Sequence, residues 1–146
     1  MSTALAPTAG IEPVSRARRL ATPLATAAFC AAGAAALYLR DPHVHGSWGF
    51  CPLFALTGAY CPGCGGLRAV NDLAHGDLLA AASSNLLFVA ALPLVAFFWT
   101  QQVVRAWRGD PARERGRAWN IGFTLCLVAA AVFTVLRNTG VPWLAP

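Results

Sequence analysis

Three stretches of this 146-residue chain, 20–39, 85–104 and 118–136, carry apolar residues with no charge among them. A helix needs about 20 mostly apolar residues to cross roughly 30 Å of hydrocarbon, so the pattern predicts three transmembrane helices. Arg16, Arg18 and Arg19 precede the first run, Arg40 and Asp41 close it, and Arg137 closes the third. Pro23 is expected in the first turn of its helix, where a missing N–H costs little. A cleavable signal peptide is the rival for the first run, with small residues at 34–36; the run is long for a signal core, which favours an uncleaved anchor. The uncharged stretch 78–104 exceeds one straight span, and Ser83, Ser84 and Asn85 divide it. An interfacial turn is expected up to about Ser84, and a span from Asn85 in which Pro93 either makes a kink or leaves a carbonyl for a neighbouring helix. Residues 1–19 predict a disordered tail, Ala/Pro/Thr-rich and without periodicity as far as Ser15, and 20–146 a single membrane domain.

Between the first two spans the pattern changes. Residues 42–67 hold no acid or arginine, yet Pro42, Pro52 and Pro62 and six glycines interrupt them. Proline costs about 3 kcal/mol and glycine about 1 kcal/mol in a helix interior, so this segment reads as a loop, made apolar by Trp48, Phe50, Phe54 and Tyr60. From Leu67 to His75, Arg68, Asn71, Asp72 and His75 recur at i, i+3, i+4 and i+7, the polar stripe of a short amphipathic helix. Arg68 and Asp72 are spaced as an i,i+4 ion pair. Gly76 suits the position after that helix and Asp77 the N-cap of the next.

Composition sharpens the picture. The chain is 57% hydrophobic and 12% charged, against about 25% charged in an average soluble domain. It cannot cover a water-facing surface, so the lipid bilayer is the expected solvent. The net charge of +5 would suit nucleic acid, but every basic residue is Arg and they cluster at the ends of the apolar runs, where membrane orientation accounts for them. No nucleic-acid partner is expected. With three spans, the N-terminus and the 105–117 loop share one side, which holds Arg16, Arg18, Arg19 and five further arginines; the other side holds Arg40, Arg68 and Arg137. The positive-inside rule then predicts a cytoplasmic N-terminus, an outside C-terminus and an extracytoplasmic position for 51–85. Trp99, Trp107 and Trp119 flank the arginine-rich loop as interfacial aromatics do. Abundant Ala, Gly and Arg without Lys suggest a GC-rich bacterial source.

The chemistry is concentrated in cysteine. Cys30 and Cys126 fall inside predicted spans and read as small packing residues. Cys51, Cys61 and Cys64 lie in the loop, the last two as C-P-G-C, and three readings stay open. Two of the three could form a structural disulfide. All three could bind zinc with His75, His45 or His43 as fourth ligand, since Cys3His is a common set and C-x2-C a common spacing. Cys61 and Cys64 could act as a redox pair, a thiol near a helix N-terminus being readily ionised. Asp72, Asp77 and Asn85 join Cys51, Cys61, Cys64 and Arg68 as candidate structural or binding residues. With no paired acid and base and no nucleotide loop, the leading reading is non-catalytic: a cysteine knuckle offered to a membrane or envelope protein partner.

The stretch "CPLFALTGAYCPGCGGLRAVNDLAHGDLLAAASSN", residues 51–85, resembles the small bacterial membrane proteins of the domain-of-unknown-function family 2752. The matching positions are Cys51, Pro52, Thr57, Gly58, Cys61, Pro62, Gly63, Cys64, Gly65, Arg68, Ala69, Gly76, Asp77 and Asn85. Leu67 stands where that family usually has Thr, which removes a hydroxyl cap, and Leu86 stands where it usually has Pro. The resemblance implies an integral protein of the bacterial inner membrane with a shared outer site, and no particular activity.

Overall fold

The computed structural model describes residues 15–44, 46–111 and 116–144, the side chain of Pro142 excepted. Residues 1–14 of the expected tail and the alternative ligand His45 lie outside the described residues. All regular structure among the described residues is helical: α1 (Arg16–Leu39), α2 (Pro52–Thr57), α3 (Gly66–Ala74), α4 (Leu78–Arg108), α5 (Arg117–Asn138) and a 3-10 turn at Pro142–Leu144.

Helices α1, α4 and α5 are long and apolar enough to cross a membrane, and they contain the three predicted spans. Their surfaces point outward: Phe29 is 81% exposed and Leu79 73%, and among the described residues few apolar side chains are buried, Leu37, Ala69, Ala81, Phe133 and Pro23 among them. Helices so little covered by protein fit a chain whose apolar surface meets lipid rather than a core of its own.

Helix α1 begins a turn earlier than the charge pattern suggests. The Ser15 hydroxyl accepts the Arg18 N–H at 3.4 Å, and this cap draws Arg16, Arg18 and Arg19 into the helix instead of the tail. Pro23 therefore lies in the helix interior, not in its first turn. Its ring is fully buried, and its carbonyl accepts the Trp99 indole N–H at 3.2 Å, a partner on α4.

The ends of the helices alternate. Arg19 Nε donates to the Ala106 carbonyl at 3.1 Å and the Arg16 guanidinium lies 4.6 Å from the Trp107 ring centre, joining the start of α1 to the end of α4. At the opposite end, the Asn71 amide donates to the Leu37 carbonyl at 2.7 Å, joining α3 to the end of α1. The α1, α3 and α4 helices pack on one another, and Ala69 and Ala81 have no exposed surface. Such small side chains let backbones approach closely.

Two expectations change here. Residues 78–84 form a helix rather than an interfacial turn, while the division expected at Ser83, Ser84 and Asn85 is present, at Asn85 (φ −159°, ψ 93°). Asn85 Oδ1 accepts the Phe88 N–H at 2.9 Å, so this residue ends one helix and caps the next. Segment 52–57, expected to be irregular, is the short helix α2. Pro52 stands at its first turn and Gly58 at its C-cap with φ 70°, so the two supposed breakers bound a helix instead of forbidding one.

Candidate metal centre

The cysteine loop is built between two left-handed glycines. Gly58 ends α2, and Gly65, with φ 78°, opens α3; a side chain at either position would be strained. Between them the Cys64 N–H donates to the Cys61 carbonyl at 3.1 Å and the Gly66 N–H to the Gly63 carbonyl at 3.0 Å. These tight turns fold Cys64 back over Cys61 and bring Cys51, at the N-cap of α2, against both. The Sγ atoms of Cys61 and Cys64 are 3.2 Å apart and those of Cys51 and Cys61 3.7 Å, and all three lie within 4.8 Å of one another.

The three cysteines are free thiols, where the sequence left a structural disulfide open. A disulfide requires sulfurs about 2.05 Å apart. Three sulfurs on a tetrahedral zinc with bonds of about 2.3 Å stand roughly 3.8 Å from one another, close to the arrangement found.

Two side chains from the spans hold the loop from behind. Asn85, 1% exposed, donates through Nδ2 to the carbonyls of Pro62 at 2.9 Å and Cys64 at 3.0 Å. Arg137, 3% exposed, donates through Nη1 to the carbonyls of Cys61 at 2.9 Å and Cys64 at 3.1 Å. Next to it, Asn138 grips Tyr60: its Oδ1 accepts the Tyr60 N–H and its Nδ2 donates to the Tyr60 carbonyl, both at 2.9 Å. Loop carbonyls face the bundle and the sulfurs are left for other partners.

Electrostatics differ among the thiols. The Phe54 amide on the open first turn of α2, short of a full capping bond, and hydrogen bonds from the neighbouring thiols lower Cys51 to about 7. Burial, with hydrogen bonds to Cys61 and Cys51, pushes Cys64 up to about 12. The buried Arg137 guanidinium has no carboxylate among the described residues within ion-pair distance, and its Nε and Nη2 make no hydrogen bond. An unpaired buried cation is costly; ionised sulfur beside it is the compensating charge the site can provide.

The other candidates are placed elsewhere. Asp72 accepts from Ser84 Oγ at 2.8 Å and faces His43 Nε2 at 3.4 Å, while His43 Nδ1 meets Asp41 at 2.8 Å. The expected Arg68–Asp72 pair is therefore not formed, because Asp72 turns toward α4 and the 41–43 segment. His75 Nδ1 lies 2.9 Å from the Asn71 carbonyl and its ring stacks on Tyr38 at 4.5 Å, so it is apart from the sulfurs and does not join their group. Asp77 caps α4 by accepting the Ala80 N–H at 2.8 Å. Arg68 lines a cavity of about 780 Å³ together with all three cysteines.

Sequence reasoning missed Arg137 and Asn138 as parts of this site. The available signal was an Arg-Asn pair at the very end of an apolar span, where an ionisable group is rarely idle.

An all-helical chain with three span-sized helices and a three-thiol loop at one end of them is the class that fold and site define. Residues 51–99 match the family model described as Protein of unknown function (DUF2752), which bears out the resemblance read from the motif. No curated protein and no solved structure matches.

Proposed function

We propose that this chain is a multi-pass protein of the bacterial inner membrane that binds a thiophilic metal ion, zinc being the simplest choice, through Cys51, Cys61 and Cys64. The N-terminus is cytoplasmic and the C-terminus and thiol loop are outside, as the arginine asymmetry favours. The observation that carries the reading is the convergence of three sulfurs within 4.8 Å of one another. Support comes from the loop's anchorage: carbonyls of Cys61, Pro62 and Cys64 are held by two buried side chains from different spans. Ligands fixed by a surrounding scaffold bind metal with less ordering cost. The ion would join α2, α3 and the spans into a rigid knuckle, which keeps a role in presenting this end of the protein to an envelope partner.

Thiol–disulfide exchange by Cys61 and Cys64 fits less well. The thiol that is lowered, Cys51, lies outside that pair, and its sulfur packs against both members, which suits a three-ligand site better than a two-thiol one. The test is elemental analysis of protein purified in a chelator-free neutral detergent. One equivalent of zinc or a comparable ion in the wild type, lost in Cys64→Ser and in Cys51→Ser, is the expected result. Metal-free wild-type protein that also refuses added zinc would reject the proposal.

A further inference from the structure

Three cysteines supply three of the four ligands that a tetrahedral ion takes. Resting on the metal-binding reading above, we infer that the fourth is an anion from outside the chain, held between the metal and Arg68. Charge points this way. A divalent ion with three thiolates carries a net single negative charge, and Arg137, on the far side of the loop, balances it. Arg68 then remains in front. It is half-buried, lines the cavity onto which all three cysteines open, and makes no ion pair with a described residue. No acidic residue is among those that line this cavity among the described residues. The cavity is therefore left with an uncompensated positive charge, which selects an anion.

Size and lining narrow the class. The cavity measures about 780 Å³ and includes Trp48, Phe50 and Phe54, room for a small organic ligand with an apolar body. A monocarboxylate meets all of these conditions: one oxygen for the metal, the other for the guanidinium, and a hydrocarbon tail against the aromatic wall. His75 is not a competitor, being stacked on Tyr38.

Cobalt(II) substitution tests the inference, because cobalt bound by thiolate shows a charge-transfer band and its visible bands report the fourth ligand. The cobalt-loaded full chain in neutral detergent is titrated with azide, acetate and butyrate. Saturable shifts of the visible bands are expected, with butyrate binding more tightly than acetate. Arg68→Gln should weaken each anion about tenfold or more, as loss of a charge-assisted bond does. If the charge-transfer band forms but no anion moves the visible bands, the inference is overturned, and a changed spectrum in His45→Ala would then assign the fourth ligand to the protein rather than to solvent. If no charge-transfer band forms at all, the metal-binding reading itself fails, and this inference with it.

Discussion

Asn85 does three things with one amide. It ends the 78–84 helix, caps the helix that follows and holds two carbonyls of the cysteine loop. No other side chain type supplies both the acceptor and the paired donors at that size. Asn85→Ala should therefore lower stability by about 1–3 kcal/mol, the cost of buried polar groups left without partners, measured by thermal unfolding in detergent. Asn85→Asp should be no better, because it keeps the cap and sets a carboxylate against two carbonyls. The thiols carry a second residue-scale prediction. A metal must displace whatever protons they hold. Cys64, pushed up to about 12, holds its proton across the working range, whereas Cys51, lowered to about 7, sheds its own near neutrality. Metal affinity should rise with pH throughout, and more steeply below about pH 7 than above it, when followed by competition with a chelator from about pH 6 to 9. Cys61 and Cys64 were visible in the sequence because they are three residues apart. The parts played by Arg137 and Asn138 were not: each depends on which loop, more than 70 residues distant, packs against the end of α5.

At the scale of elements, the spans and the α3 corner were legible because apolar periodicity and caps are local. Gly76, at φ 82°, and Asp77 form the turn and cap that their types suggested. Asp77→Ala should cost about 1 kcal/mol of stability, as loss of an N-cap does, whereas Arg68→Ala, which breaks no ion pair within the described fold, should melt within a degree or two of the wild type in a detergent thermal scan. Equal losses from both would mean that the corner is held in some other way. The α2 helix was missed for an instructive reason. Counting Pro52 and Gly58 as penalties ignored where they stand; at the first turn and the C-cap the same residues favour a helix, and that six-residue turn carries Cys51 to its neighbours. The division expected at Ser83, Ser84 and Asn85 was legible and falls at Asn85, whereas the α4 dihedrals stay helical through Pro93.

At the scale of the molecule, the long helices have two unlike ends among the described residues. Arginine and tryptophan join α1 to α4 at one end, through Arg19–Ala106 and Arg16–Trp107. Thiols, buried amides and the end of α5 meet at the other. The up-down-up order of the long helices was readable from the length and spacing of the apolar runs; the inward-facing carbonyls of the loop were not, because nothing local distinguishes a carbonyl that faces solvent from one that faces a guanidinium. If the arginine-heavy end is cytoplasmic, alkaline phosphatase fused after residue 144 should be active and green fluorescent protein fused there should be dark. The reverse pattern would invert the topology and move the thiol loop into a reducing compartment.

Asn85 holds one side of that loop and Arg137 with Asn138 the other, so the order of assembly follows from the direction of synthesis. The ribosome releases the cysteines long before it makes the α5 residues that hold their backbone, and the third helix must insert before the grip can close. A nascent or truncated chain ending before residue 137 carries every cysteine and the Asn85 anchor but lacks the α5 half of the clamp. If the thiols bind an ion as proposed, its loading is tied to completion of the polypeptide, and prematurely terminated products should leave the translocon with less of it bound.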